Sequence, residues 1–492
     1  MHLSNSLYIA GLQCEKLLWL KKYRRDLLTQ PDKNTQTICK IDDEVKELAY
    51  KLFLDGIKVI FDDLDYEKMI KKTKELIDSN ISNIYEASFI YDDVFVSIDI
   101  LHINKDKSVE INEVKSSINI DDVYLQDVSI KYYVLNKLGF DIKKVNIIHL
   151  NKEYIRGDEL DIDKLFKTTD VTDKIEKLQN EIPKNLERFK KVLSNKNELQ
   201  IDIGEYCEKP YECEAIEYCW KHIPEYSIFD ISGLRYNKKF QLYKQGIIKL
   251  EDIPDISTFS PTQQMQIQCE LKKKSIINKE AIREFLESLS YPIYYLDFET
   301  FQQAIPKFKG VSSFMKIPFQ YSLHIEKDGK LEHKEFLAED GVDPRYEIAK
   351  HLVNDIPKDV TVLAYNKSFE VNIIKKLADE FDEFRDHLLC ICENIKDLMI
   401  PFQKKYYYTP EMKGKHSIKY VLPALVPKMI DAYKELEIVQ NGSDAMCVFA
   451  NLSKIEDEKE KANLKQALLE YCKLDTLAMV EIVKKLREVV NE

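Results

Sequence analysis

YPIYYLDFETF, residues 291–301, is an apolar run that ends in two carboxylates, Asp297 and Glu299, one residue apart. On a strand, that spacing turns both toward one face of a sheet. The bulky composition predicts a buried strand of an α/β fold, where acids are costly unless a cation neutralises them. A metal site removes that cost. A strand running into an acidic turn is the plainer alternative, and the residues downstream bear on the choice.

Those residues arrive in order. TVLAYNKSFEVNIIKKLA (361–378) predicts a short strand, a turn around Asn366 and a helix with Glu370 in its first turn. LLEYCKLDTLAMVEIVKKL (468–486) predicts an amphipathic helix on which Tyr471 and Asp475, at i and i+4, project together. Four acids from a strand and two helices can hold two divalent cations through hard oxygen ligands, an arrangement suited to the attacking and leaving oxygens of phosphodiester hydrolysis. The order D-x-E, N-x-x-F-(D/E), Y-x-x-x-D resembles the DEDD (DnaQ-like) superfamily of 3′–5′ exonucleases, in the subtype that carries a tyrosine, over about residues 290–492. The resemblance implies an RNase H-like fold, with Asp297, Glu299, Glu370 and Asp475 as ligands of Mg²⁺ or Mn²⁺ and Tyr471 as the phenol that orients the attacking water. Glu370 stands where the superfamily usually has the shorter aspartate, a departure that bears on the second metal.

At 492 residues and 44% apolar content, the chain is long enough for two or three domains with a core in each. No run of 18 apolar residues suits a membrane span, and MHLSNSLYIAGLQCEKLLW lacks the layout of a signal peptide, so a cytoplasmic location without membrane partners is expected. Ten cysteines in such a chain point to thiols or metal ligands rather than a disulfide framework. The net charge of −12 argues against polyanion binding over the whole surface but is compatible with a local groove.

Near the start, Cys14 sits in GLQCEKLLWLKKY, read as the beginning of an amphipathic helix. Later, CEKPYECEAIEYCW (207–220) places Cys207, Cys213 and Cys219 at intervals with five residues between them. With Cys14 they supply four thiolates, enough for an iron–sulfur cluster or a structural zinc, and reduced buried cysteines are the alternative. Between them, ASFIYDDVFVSIDILHINKDKSVEINEVKSS (87–117) predicts two or three antiparallel strands, with Asp99 on one and Glu113 and Lys115 sharing a face of the next. Two carboxylates can bind a divalent cation while a lysine stabilises developing phosphorane charge, the working logic of PD-(D/E)xK nucleases. A hairpin with ordinary surface charges is the alternative.

One early cysteine, D…ExK and three late cysteines together resemble the RecB-like nucleases with a [4Fe–4S] cluster, over about residues 1–224. The resemblance implies Asp99 and Glu113 as metal ligands, Lys115 as the catalytic lysine, and Cys14, Cys207, Cys213 and Cys219 as cluster ligands that staple the domain ends. Two departures stand out. Lys46 falls near the place of a usual histidine ligand, with Glu44 a possible substitute, and Gln126 and Tyr133 match the expected Q-x-x-x-Y motif poorly, with Lys131 competing for the glutamine position. Cys39, Cys269, Cys390, Cys392, Cys447 and Cys472 read as core or surface thiols, the Cys390/Cys392 pair suiting two faces of a strand.

Residues 225–290 read as a helical connector with a hairpin at Gly246. Between Ser232 and Lys274 eight Lys/Arg face four Asp/Glu, a balance of +4 that suits either a phosphate-facing patch or a solvated linker. The layout, including PFQYSLHI (318–325), GKHSIKYVLPAL (414–425) and IIHLNKEYIRGDELD (147–161), resembles an uncharacterised bacterial family that joins a RecB-like domain to a DEDD-like one. The expectation is an α/β chain of three parts, 1–224, 225–290 and 291–492. It would act as a metal-dependent nuclease on DNA, from ends or on single strands, with two heads. Trimming of RNA by the second head, or a nucleic-acid-binding scaffold with one or both heads inactive, are the alternatives.

Overall fold

The computed structural model describes residues 2–30, 33–60 and 65–492, with the backbone alone over 33–40. The side chain of Cys39 thus lies outside the described residues. The chain is mixed α/β and divides into two compact units: Met1–His222 with Gln303–Met315, and Ile223–Gln302 with Lys316–Glu492. No helix among the described residues is long and apolar enough to cross a membrane.

The first unit is built on a seven-stranded sheet: β1 (Leu3–Ser4), β2 (Ile57–Lys58), β3 (Asn83–Tyr91), β4 (Val94–Ile103), β5 (Val109–Lys115), β6 (Ile142–Leu150) and β7 (Phe166–Asp170). Its order is β2-β3-β4-β5-β6-β7, with β1 beside β4. Strands β3, β4 and β5 form an antiparallel meander, and β6 returns parallel to β5. The helices used below are α1 (Asn5–Gln13), α2 (Glu15–Tyr23), α3 (Lys33–Ala49), α4 (Tyr66–Asp78), α5 (Asp122–Lys137) and α6 (Ile182–Ser194). A parallel return needs a crossover, and α5 supplies it. The central strands are apolar on both faces because both are covered. One face joins Ile98, Ile111 and Ile147 to Leu18, Val134 and Phe189 of the helices. The other forms a smaller core of Val45, Tyr50, Ile100, Val114 and Ile148, completed by Ala304 and Phe314 of the 303–315 segment. That segment is held by hydrogen bonds between Arg156 and the carbonyls of Pro306 and Val311.

In the second unit the short strands β8 (Ile276–Ile277) and β14 (Tyr407–Tyr408) pair separately. The main sheet comprises β9 (Ile293–Phe301), β10 (Ile317–Lys327), β11 (Lys330–Leu337), β12 (Thr361–Ala364) and β13 (Ile395–Asp397). Its order is β11-β10-β9-β12-β13, the first three antiparallel and the last two parallel to β9. Helices α7 (Tyr236–Lys244), α8 (Pro261–Lys272), α9 (Ser368–Glu380), α10 (Ile418–Leu425), α11 (Gly442–Leu452) and the 34-residue α12 (Glu458–Asn491) accompany it. Residues 225–290 pack within this unit. They have a small core of their own around Ile228, Leu242 and Ile267, while Cys269 and Ile282 join Tyr408 and Met479 in a larger one. Gly414 marks a close approach: a Cβ there would clash with the Asp230 carbonyl, and its φ of +77° favours glycine. Cys390 and Cys392, expected on a strand, instead lie on the helix Arg385–Asn394, where their sulfurs face the carbonyls of Lys358 and Val371. A short apolar run does not by itself separate the two periods.

Candidate active sites

In the second unit, β9 presents Asp297 and Glu299 from alternate positions, opposite Ser322 and Gln320 of β10. Helix α12 carries Asp475, and one ligand oxygen each from Asp297, Glu299 and Asp475 lie within 4.8 Å of one another. Glu299 and Asp475 are buried. Like charges packed out of water disfavour ionisation. Burial and then Asp475 push the Glu299 carboxyl up to about 8. Burial, Asp475, Glu299 and Glu370 push Asp297 well above the carboxylate range, and the Cys472 thiol, 3.8 Å from its Oδ2, pulls slightly the other way. Asp475 rises only to about 6, because hydrogen bonds from Tyr433 and Tyr471 and the charge of Lys419 oppose its burial.

Glu370 occupies the first turn of α9, as expected, but falls outside the tight trio. It acts on Asp297 through charge, its own carboxyl is pushed up to about 8 by burial and then Asp397, and its Oε2 is buried without a hydrogen-bond partner. Tyr471 is buried one helical turn before Asp475. The hydroxyl of Tyr433, a residue the sequence reading did not single out, donates to Asp475 Oδ1 at 2.6 Å, and its ring meets that of Tyr471 edge-on at 6.4 Å. Lys419 of α10 lies over both rings, 5.3 and 5.6 Å from their centroids, and donates to the Gln440 carbonyl. Tyr433 comes from a turn segment with no periodic pattern, and Lys419 from a helix of only eight residues whose partner the sequence does not indicate.

The first unit holds a different arrangement. Asp99 on β4 and Glu113 and Lys115 on β5 come together, with all three fully or largely buried. Asp99 Oδ2 accepts from the Val114 amide at 2.8 Å and Oδ1 from Lys46 Nζ at 2.9 Å. Lys115 bridges Glu113 (3.1 Å) and Asp127 of α5 (2.7 Å), and Lys131, one turn further along α5, also donates to Glu113. Lys131 is therefore the residue of that helix that reaches the site, together with Asp127; Glu44 is exposed. Burial raises Asp99, but Lys46, Lys131 and Lys115 outweigh it and hold it below its usual range. Burial and then Asp99 push Glu113 up to about 7, and its Oε2 has no hydrogen-bond partner. Glu86, a fourth carboxylate, accepts from Tyr50 at 2.9 Å. It sits within β3 at φ +55°, a conformation an L-residue holds at a cost. The pocket around these groups has a volume of about 810 Å³. Three lysines thus nearly balance four acids here, whereas the second site has three tightly grouped acids and one nearby lysine.

The four cysteines lie within electrostatic range of one another, although among the described residues no three of their sulfurs fall within 4.8 Å of one another. Each of Cys14, Cys213 and Cys219 is affected by the charge of Cys207, and Cys213 also by those of Cys14 and Cys219. Cys14 lies between α1 and α2, and although its side chain makes no capping hydrogen bond, the neighbouring backbone of Lys16 and Leu17 favours its thiolate, as that of Ala215 favours the Cys213 thiolate. Burial nevertheless raises all three thiols, Cys213 to about 12. Gln13 ties α1 to the cysteine segment through the carbonyls of Tyr206 (2.9 Å) and Tyr211 (2.7 Å).

Comparison with known proteins adds little about activity. A family model described as a domain of unknown function (DUF2779) matches residues 294–417. That stretch includes Asp297, Glu299 and Glu370 and stops before Asp475. The uncharacterized protein UU173 of Ureaplasma parvum serovar 3 is 24% identical over 317 residues, which cover 59% of this chain and 44% of that protein. The chain therefore spans less than half the length of that relative.

Proposed function

We propose that the protein is a metal-dependent nuclease that hydrolyses phosphodiester bonds of DNA from ends or on single strands, with a DEDD exonuclease-like second unit and a RecB-like first unit. The observation that carries this reading is the grouping of Asp297, Glu299 and Asp475. Three acids this close, two of them buried and one half-buried, repel one another, and a hard divalent cation is the partner that relieves the repulsion. The strand order of the second sheet, three antiparallel and two parallel strands with the acids on the central one, supports an RNase H-like fold. The meander, crossover helix and parallel strand of the first sheet support a PD-(D/E)xK fold.

In the second unit, Asp297, Glu299 and Asp475 would hold Mg²⁺ or Mn²⁺, with Glu370 beside them. The cation supplies a polarised phosphoryl oxygen and an acidified water. Tyr471 and Tyr433 orient Asp475 and the water, and Lys419 adds positive charge where the phosphate must approach three acids. Tyr433→Phe and Tyr471→Phe should each slow cleavage by about 10²-fold or less, the low end of what a positioned proton-handling group contributes. Equal rates for both variants and wild type, measured on an end-labelled oligonucleotide, would remove the phenols from the mechanism. Glu370→Asp distinguishes a working ligand from a decayed site. Impairment is expected, and a gain in activity would mean that the longer side chain is a defect. Degradation of labelled single-stranded DNA and RNA with Mn²⁺, abolished by EDTA, tests the reading as a whole; a strong preference for RNA would favour an exoribonuclease.

For the first unit, Asp99 and Glu113 would hold the cation and Lys115 would stabilise the phosphoryl charge. Lys46 supports a second reading in which this unit binds nucleic acid without cutting it, because its ammonium already occupies Asp99 Oδ1. The mutual electrostatic influence of these thiols, with Gln13 tying α1 to the Tyr206 and Tyr211 carbonyls, supports one ligand set, and we propose that Cys14, Cys207, Cys213 and Cys219 hold a [4Fe–4S] cluster. Anaerobically purified protein should contain about four iron and four sulfide per chain, as that cluster type requires. Cys14→Ser should lose the brown colour and lower the melting temperature of the unit by on the order of 5–10 °C, since a ligand set formed only in the folded chain adds its binding energy to folding. Stoichiometric zinc without sulfide would replace the cluster with a structural zinc.

A further inference from the structure

Beside the pocket of the first unit runs a second groove, of about 430 Å³, lined by Lys58, Val59, Ile60, Lys68, Met69, Lys71, Lys72 and Glu75. Four of its walls are lysines and one is a glutamate. Two features join it to the candidate active pocket. Lys58 lines both cavities, and Tyr66, the first residue of α4, lines the pocket while the lysines that follow it line the groove. Helix α4 therefore starts at the wall of that pocket and carries positive charge away from it.

The spacing is that of one helix face. Lys68, Lys71, Lys72 and Glu75 stand at i, i+3, i+4 and i+7, while Met69, Thr73 and Leu76 turn into the core. Lys68 and Lys72 are separated along the axis by about 6 Å, four residues at 1.5 Å each, a reach suited to successive phosphates of an extended strand. Between the ammonium groups the floor is apolar. Ile60 is 81% exposed, and Tyr66 stacks on Phe95 with ring centroids 4.2 Å apart at the junction with the pocket. Among the described residues its ion pairs are Lys72 with Glu75 at 3.8 Å and Lys58 with Glu47, both between exposed side chains. Pairs of that kind are weak, so a phosphate can replace them. A positive track beside exposed apolar surface, with an aromatic ring where it meets the pocket, suits the backbone and bases of single-stranded nucleic acid. A duplex would present phosphates but keep its bases stacked away from the floor.

We infer that the α4 groove is a binding track for single-stranded nucleic acid, leading the phosphate backbone to or from the pocket of Asp99, Glu113 and Lys115. The inference rests on the nucleic-acid reading of the first unit, but holds whether that unit cuts or only binds. It is tested on the whole protein by the anisotropy of a fluorescein-labelled 20-nucleotide oligothymidylate in EDTA. There no cleavage occurs and the uncompensated acids of the second unit repel phosphate. The triple variant Lys68→Gln, Lys71→Gln, Lys72→Gln changes exposed side chains only. It should weaken binding by on the order of tenfold or more. It should also reduce the slope of log K against log salt by about 2, the value for three lost phosphate contacts on a single strand. An affinity and slope equal to wild type would overturn the groove while leaving the nuclease proposal intact. No binding by the wild-type protein in EDTA or in Ca²⁺ would overturn the nucleic-acid reading and the groove with it. A 20-base-pair duplex bound more tightly than the single strand, with the same sensitivity to the triple variant, would overturn the assignment of the occupant.

Discussion

Asp297→Asn should abolish cleavage by the second unit and, at the same time, make the cation-free protein more stable. The two effects have one origin. Half-buried Asp297 packs against Asp475 and Glu299, with Glu370 also acting on it and the Cys472 thiol in weak contact, so its carboxyl is held well above the usual range. Asparagine keeps the shape and removes the repulsion, and each pKa unit of strain relieved corresponds to about 1.4 kcal/mol. A gain of about 1–3 kcal/mol in EDTA is expected. Cleavage should fall by about 10³-fold or more, because several kcal/mol of transition-state charge stabilisation depend on a filled ligand set. The wild type should show the matching pH dependence. A carboxyl whose folded pKa is raised binds more protons folded than unfolded, so stability falls as pH rises from the unfolded value near 4 to the folded one. With Glu299 near 8 and Asp475 near 6, cation-free protein should lose stability between about pH 4 and pH 8, and Mn²⁺ should restore it at pH 8 by binding the native state alone. Melting curves across pH, with and without Mn²⁺, measure this. A profile unaffected by Mn²⁺ and by Asp297→Asn would mean that the trio is not a cation site.

Lys115→Ala should have the second large effect, confined to the first unit. Lys115 holds Glu113 and Asp127 together at 3.1 and 2.7 Å, and burial is more than offset by those acids, so its ammonium stays charged at any physiological pH. Removing it takes away the lysine charge proposed to stabilise the phosphoryl group, a loss of about 10²–10³-fold for an electrostatic donor of this kind. It also leaves Asp127 with fewer partners in a buried site, so a destabilisation of about 3 kcal/mol accompanies it. Lys115→Arg keeps the charge and should recover stability more than activity, because the planar fork does not reproduce a point charge. Measured in an Asp297→Ala background, equal cleavage by Lys115 and Lys115→Ala proteins would leave the first unit without a catalytic lysine, in agreement with the reading in which Lys46 stands where a cation would bind.

Local periodicity made part of these sites legible in the sequence. Asp297 and Glu299 at i and i+2 on a strand, and Tyr471 and Asp475 at i and i+4 on a helix, are patterns that survive folding unchanged. The strand, turn and helix around Asn366 and Glu370 followed the same logic. What periodicity does not carry is which distant segments meet. Tyr433 and Lys419 reach Asp475 from turns and a short helix 40 to 60 residues away in the chain. Asp127, Lys131 and Lys46 compensate the first site through helices whose faces were visible but whose partners were not. Glu370 was placed on the correct turn of its helix, yet its distance from the trio depends on how α9 sits over the sheet. Residues 303–315 leave the second unit and complete the core of the first, a path that nothing in their composition signals.

The most direct measurement compares four proteins, wild type, Lys115→Ala, Asp297→Ala and the double variant, on end-labelled single-stranded DNA and RNA in Mn²⁺. The expected result is degradation by the wild type, a distinct residual pattern from each single variant, and no degradation by the double variant. Cleavage by the double variant at the wild-type rate, or no cleavage of either nucleic acid by the wild type, would contradict the assignment of both sites.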